Sequence, residues 1–136
     1  MQQGNFLRFI PPALSGGYMG KKPRYMLVVE YNETDKIVKM VNVSSLKGKE
    51  HKLLYSSNIE INNYTPLPVP SFAKLDVLYI IDYFKELDEY IAFEKQKLNN
   101  SQFKYLNKCR LDYMKNTQIE IIQYTEQEFN KYNKNI

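Results

Sequence analysis

Cysteine occurs once in this chain of 136 residues, at Cys109. A single thiol excludes an internal disulfide, and the expected compartment is therefore a reducing cytoplasm. Histidine also occurs once, at His51, and tryptophan is absent. One Cys and one His cannot assemble a zinc site, so neither a metal nor another cofactor is expected. No apolar run approaches the roughly 20 residues that span a bilayer, and no membrane partner is expected. The start, Met1-Gln2-Gln3-Gly4, lacks the basic head and apolar centre of a secretory signal. The length fits one domain, residues 1–136, with a single core.

Charge is present, and unevenly placed. The formal net charge is +4, which permits a polyanionic partner. Residues 1–82 hold ten Lys/Arg against seven Asp/Glu, whereas residues 83–136 hold nine against eight. The excess clusters at Lys21, Lys22 and Arg24, and again at Lys47, Lys49 and Lys52. Two basic clusters beside turns are suited to a phosphate backbone; the competing reading is ordinary solvated surface. The twelve tyrosines accompany many Asn, Lys and Ile, a composition expected of an AT-rich genome, and are read as core or boundary residues.

Periodicity divides the chain near Asp82. Before it, short strands are expected at Asn5–Phe9, Arg24–Tyr31, Lys36–Ser44, Lys52–Tyr55, Asn58–Ile61 and Phe72–Ile81. Pro11-Pro12 ends the first strand, and Ser15-Gly16-Gly17 opens a flexible connection. Asn32-Glu33-Thr34-Asp35 reads as a hairpin turn. Such strands bury themselves most economically as a small, bent antiparallel barrel over residues 4–82. After Asp82, apolar residues recur at helical spacing. Helices are expected over 83–98, capped by Asp82, over 101–115, capped by Ser101, and from about Thr125, fraying towards Asn135. Ile119–Ile122 reads as strand or helix. The expected class is α+β, a barrel followed by a helical extension (83–136) of two or three helices.

Four segments then stand in a telling order: Gly4-Asn5-Phe6-Leu7-Arg8-Phe9, Lys22-Pro23, Val41-Asn42-Val43-Ser44-Ser45 and Pro70-Ser71-Phe72-Ala73-Lys74-Leu75-Asp76. Together they resemble the MazF/PemK toxin superfamily, which includes ToxN-like members. The resemblance covers residues 4–82. It implies an SH3-like barrel, a homodimer, metal-independent cleavage of single-stranded RNA, and an antitoxin partner, protein or RNA. It also shows departures: Lys22 stands where the family usually has Arg, and Tyr79 where many active members carry Arg.

Metal-free cleavage uses the ribose 2′-OH against its own 3′-phosphate. A guanidinium holds two phosphate oxygens at once, which makes Arg24 the candidate for stabilising the phosphorane. Ser44 can hydrogen-bond the phosphate, and His51 is the side chain that titrates near neutrality. Lys21, Lys22, Ser45, Lys47, Lys49 and Tyr79 complete the candidate RNA-binding set. Each has a structural alternative: a loop histidine, a strand-ending Ser44-Ser45, a core Tyr79. Asp76 either orients a base or pairs with Lys74. Two functions follow: a toxin-like endoribonuclease of a toxin–antitoxin system, or a weak or inactive barrel serving a plasmid or phage as a nucleic-acid- or protein-binding module.

Overall fold

Alternating apolar residues and well-placed turn formers build most of the sheet. The computed structural model describes residues 1–134. Strand β1 (Phe6–Phe9) pairs antiparallel with β2 (Arg24–Glu30), and β2 with β3 (Ile37–Ser45). The β2–β3 turn is organised by Asn32, whose Oδ1 accepts from the backbone N–H of Thr34 at 3.0 Å and of Asp35 at 2.7 Å. This is the local turn that an Asn side chain favours. Strand β5 (Ser71–Asp82) pairs antiparallel with both β3 and β4 (Asn58–Ile61).

Helix α1 (Asn100–Asn116) and helix α2 (Glu126–Asn133) flank a sixth strand, β6 (Glu120–Tyr124), which lies parallel to β5. The chain is therefore α+β, with a six-stranded, mostly antiparallel sheet in the order β1-β2-β3-β5-β4 and β6 beside β5. Among the described residues the strand pairing runs as an open path, without the closure expected of a barrel from the strand pattern.

Both faces of the sheet are buried. Phe6, Leu27, Val29, Val41, Val43, Ala73, Leu75 and Leu78 form one core, with Leu98 and with Leu106 of α1. Leu7, Phe9, Met26, Val28, Val38, Met40, Val77, Tyr79 and Ile81 form the other, with Leu87, Tyr124 and Phe129. A side-chain period of two sends neighbouring residues of β1, β2 and β3 to opposite cores. Strand β5 breaks that phase. Ala73 and Leu75 enter the first core, whereas Val77, Tyr79 and Ile81 enter the second. The register shows why: Asn42 pairs with Lys74 and Met40 with Tyr79, so β5 spends residues 75–78 where β3 spends Val41 alone. A bulge of this size bends the strand and re-aims its side chains.

Several expectations are corrected. Residues 83–98 form no α-helix; they carry one 3₁₀ segment, Lys85–Tyr90, and a short turn of left-handed backbone, Phe93–Lys95. Their backbone is committed to β1 and its flanks instead: the Ala92 N–H donates to Phe6 O at 2.8 Å and the Leu98 N–H to Gly4 O at 3.0 Å. Phe93 stacks on Tyr25 at 5.2 Å and meets Phe6 edge-on at 5.9 Å. Phe93, Glu94 and Lys95 have positive φ, which no right-handed helix accommodates. Asp82 is accordingly a strand residue, not a cap.

Lys52–Tyr55 is not an edge strand, because Glu50–Leu54 is a 3₁₀ turn. Helix α1 is capped by Asn99, whose Oδ1 accepts from the N–H of Ser101 and of Gln102, so Ser101 is not its cap. Ile119–Ile122 resolves as strand β6. Helix α2 opens at Thr125 with a complete capping box to Glu128; its expected fraying at Asn135 lies outside the described residues. Asn133 holds α2 to the end of β1, accepting from the Ile10 N–H at 2.7 Å and donating to Ile10 O at 2.9 Å.

A candidate nucleic-acid-binding cleft

The β5 bulge opens onto a cleft of about 870 Å³. Four segments distant in sequence line it. The β1–β2 loop supplies Leu14, Ser15, Tyr18, Met19, Lys21 and Lys22, and β2 begins there with Arg24. Asn42 enters from β3, and Lys52, Tyr55, Ser57 and Asn58 from the segment leading into β4. The floor is Lys74, Asp76, Val77 and Tyr79 of β5. The phase break in β5 allows Lys74, before the bulge, and Tyr79, after it, to share one side of the sheet.

The β1–β2 loop is tied down around this opening. The Ser15 hydroxyl donates to Glu120 Oε1 at 2.8 Å, and the Tyr124 hydroxyl donates to Ala13 O. The Gly20 N–H donates to Pro11 O at 2.9 Å, and a Cβ at position 20 would collide with that carbonyl. Gly16 and Gly17 take φ of 79° and 78°, the left-handed region that glycine enters without a steric cost.

Electrostatically the cleft is cationic. Lys21, Lys22, Arg24, Lys52 and Lys74 face one carboxylate, Asp76. Arg24 has its Nε buried without a hydrogen-bond partner among the described residues. Such a donor incurs a desolvation cost that an anionic ligand would offset. Burial, and then the positive charges of Lys52, Lys49 and Arg24, hold the Lys74 ammonium below the ordinary lysine value, with Asp76 opposing. Burial, followed by the Asp76 and Glu120 carboxylates, pushes the Tyr79 hydroxyl up to about 12.

Lys21, Lys22, Arg24 and Tyr79 of the sequence-derived candidates line this cleft. Tyr79 is 3% exposed and packs beside Tyr124 at 6.0 Å, so its ring faces are unavailable for stacking on a ligand. Ser44 stands behind the lining: its hydroxyl donates to Asn42 Oδ1 at 3.4 Å, while Asn42 Nδ2 donates to Tyr25 O at 3.1 Å. Ser45 Oγ accepts from the Lys47 N–H at 3.1 Å and shapes the turn after β3.

Lys47, Lys49 and His51 are exposed and lie outside the lining, although the charge of Lys49 reaches Lys74. Sequence reasoning placed Lys52 in a basic cluster suited to a phosphate backbone but gave no ligand role to Lys74, Asn42, Tyr18 or Tyr55. The basic cluster that includes Lys52 was a usable signal; nothing local marked the others. No protein-family model matches the chain, and no curated protein matches it.

Proposed function

We propose that the protein binds single-stranded RNA in the cationic cleft and cleaves it without a metal, as a toxin-like endoribonuclease of the MazF/PemK type. The observation that carries this reading is Arg24, a guanidinium with an unpartnered buried Nε, set among four lysines in one cleft. The fork of Arg24 holds the scissile phosphate, and Lys22 and Lys52 follow the neighbouring ones. The ribose 2′-oxygen attacks phosphorus, the bond to the 5′-oxygen breaks, and the products are a 2′,3′-cyclic phosphate and a free 5′-hydroxyl. Asp76, the carboxylate of the cleft, accepts the 2′-OH proton, and the Lys74 ammonium donates one to the departing 5′-oxygen.

An SH3-like architecture belongs to this proposal; the antiparallel pairing of β1 to β5 and the register shift between β3 and β5 favour it. A homodimer and a neutralising antitoxin, protein or RNA, belong to the same proposal.

The test is incubation of single-stranded RNA with the protein in EDTA. Cleavage to cyclic-phosphate ends, abolished by Arg24→Ala, is the expected result. Intact RNA, with no growth arrest on expression, refutes the enzyme. A second reading has its own observation: among the described residues Arg24 is the one guanidinium in the lining, and Tyr79, which the resemblance aligns with an Arg of many active members, is buried. On that reading the cleft binds RNA without cutting it, and salt-dependent binding without product is the discriminating outcome.

A further inference from the structure

Tyr18 is 73% exposed and Tyr55 60% exposed, and both line the cationic cleft. Neither ring packs in an aromatic pair among the described residues. The segments that carry them are joined to β5 before and after its bulge. The loop carrying Tyr18 is fastened to β6 through Glu120 and Tyr124, and β6 pairs with residues 77–81 of β5. Tyr55 precedes β4, which pairs with residues 71–74. Lys74 and Asp76, at the junction of those two stretches of β5, line the same cleft. Open aromatic faces beside cations suit a polymer that presents flat, unpaired rings on an anionic backbone. A duplex keeps its base faces stacked within the helix and offers no such rings.

We propose that Tyr18 and Tyr55 form a nucleobase clamp, each stacking on an unpaired base of a single strand whose phosphates lie on the Lys and Arg floor. This rests on the reading of the cleft as a nucleic-acid site and names what that site selects: unstacked bases. It requires no cleavage.

The experiment measures binding of a fluorescently labelled 2′-O-methyl oligonucleotide, which cannot be cut, at low salt. The same strand with abasic positions and its duplex serve as comparisons. The abasic strand and the duplex are expected to bind at least about ten-fold more weakly. Tyr18→Ala and Tyr55→Ala each weaken the intact strand about five-fold or more without changing the salt dependence, and the Tyr→Phe variants restore it. Abasic and intact strands that bind equally overturn the clamp while leaving the cationic cleft standing. Absence of binding by any strand overturns both. Alanine variants that dissociate a dimer yet keep full base dependence assign the rings to a protein interface and also overturn the clamp.

Discussion

The cleft makes a quantitative prediction about salt. Each phosphate neutralised by a protein cation releases counterions, and for single strands log K falls against log salt with a slope of about −0.7 per contact. Five cations line the cleft, Lys21, Lys22, Arg24, Lys52 and Lys74. Full engagement therefore gives a slope of about −3.5, so a fourfold rise in salt weakens binding about 100-fold. Arg24→Ala removes one contact and brings the slope to about −2.8. Lys39 supplies the control: it lies outside the cleft, 3.8 Å from Glu30, and Lys39→Ala leaves the slope unchanged. Fluorescence anisotropy across a salt series measures all three proteins. A wild-type slope shallower than about −1.5 contradicts engagement of the floor. Equal effects of the Arg24 and Lys39 variants would show that only diffuse surface charge is at work.

The other predictions concern protons and stability. Burial, and then neighbouring cations, depress the Lys74 pKa; a bound phosphate sets a negative charge against those cations, so the pKa rises on binding. Affinity should be highest below the free-protein pKa and decline as pH rises towards the bound value; calorimetry in buffers of different ionisation heat should show proton uptake, lost in Lys74→Ala. Glu30 accepts from the buried Arg110 at 3.0 Å, but its side chain is 42% exposed. Glu30→Ala should therefore lower unfolding stability by about 1–2 kcal/mol in urea titrations. Thr125→Ala removes the α2 capping box and should cost about 1 kcal/mol in the same assay. Tyr79, by burial, and Tyr83, by donating to Asp88 at 2.6 Å, both have hydroxyl pKa values of about 12, against an ordinary 10.0. Raised folded values give stability that is complete below pH 10 and lost as pH climbs towards 12. Tyrosinate absorbance should follow that loss, and Tyr83→Phe should reduce it.

The strands before Asp82 were legible because alternation and turn chemistry are local properties. Asn32 and the apolar run Met26–Val29 announce their conformations within a few residues. The same logic misread 83–98. Its apolar residues recur at helical spacing, yet hydrogen bonds to β1 and the packing of Phe93 on Tyr25 and Phe6 outweigh a helix there. Among site residues, the run Lys21-Lys22-Pro23-Arg24 identified one wall of the cleft. His51 sits on an exposed turn outside the cleft lining, a matter of placement that no local pattern reveals.

By itself the sequence determined the strand-rich first part, the helices around 101–115 and after Thr125, and a basic surplus beside turns. These follow from side-chain period, capping groups and charge, which act over a few residues. Only the tertiary structure decided the parallel seat of β6, the open sheet and the bulge at 75–78 that gathers Arg24, Asn42, Lys52 and Lys74 into one cleft. It also decided which of twelve tyrosines face water beside that cleft. Those outcomes depend on pairing between residues far apart in the chain, where register and burial on both faces of the sheet override local preference.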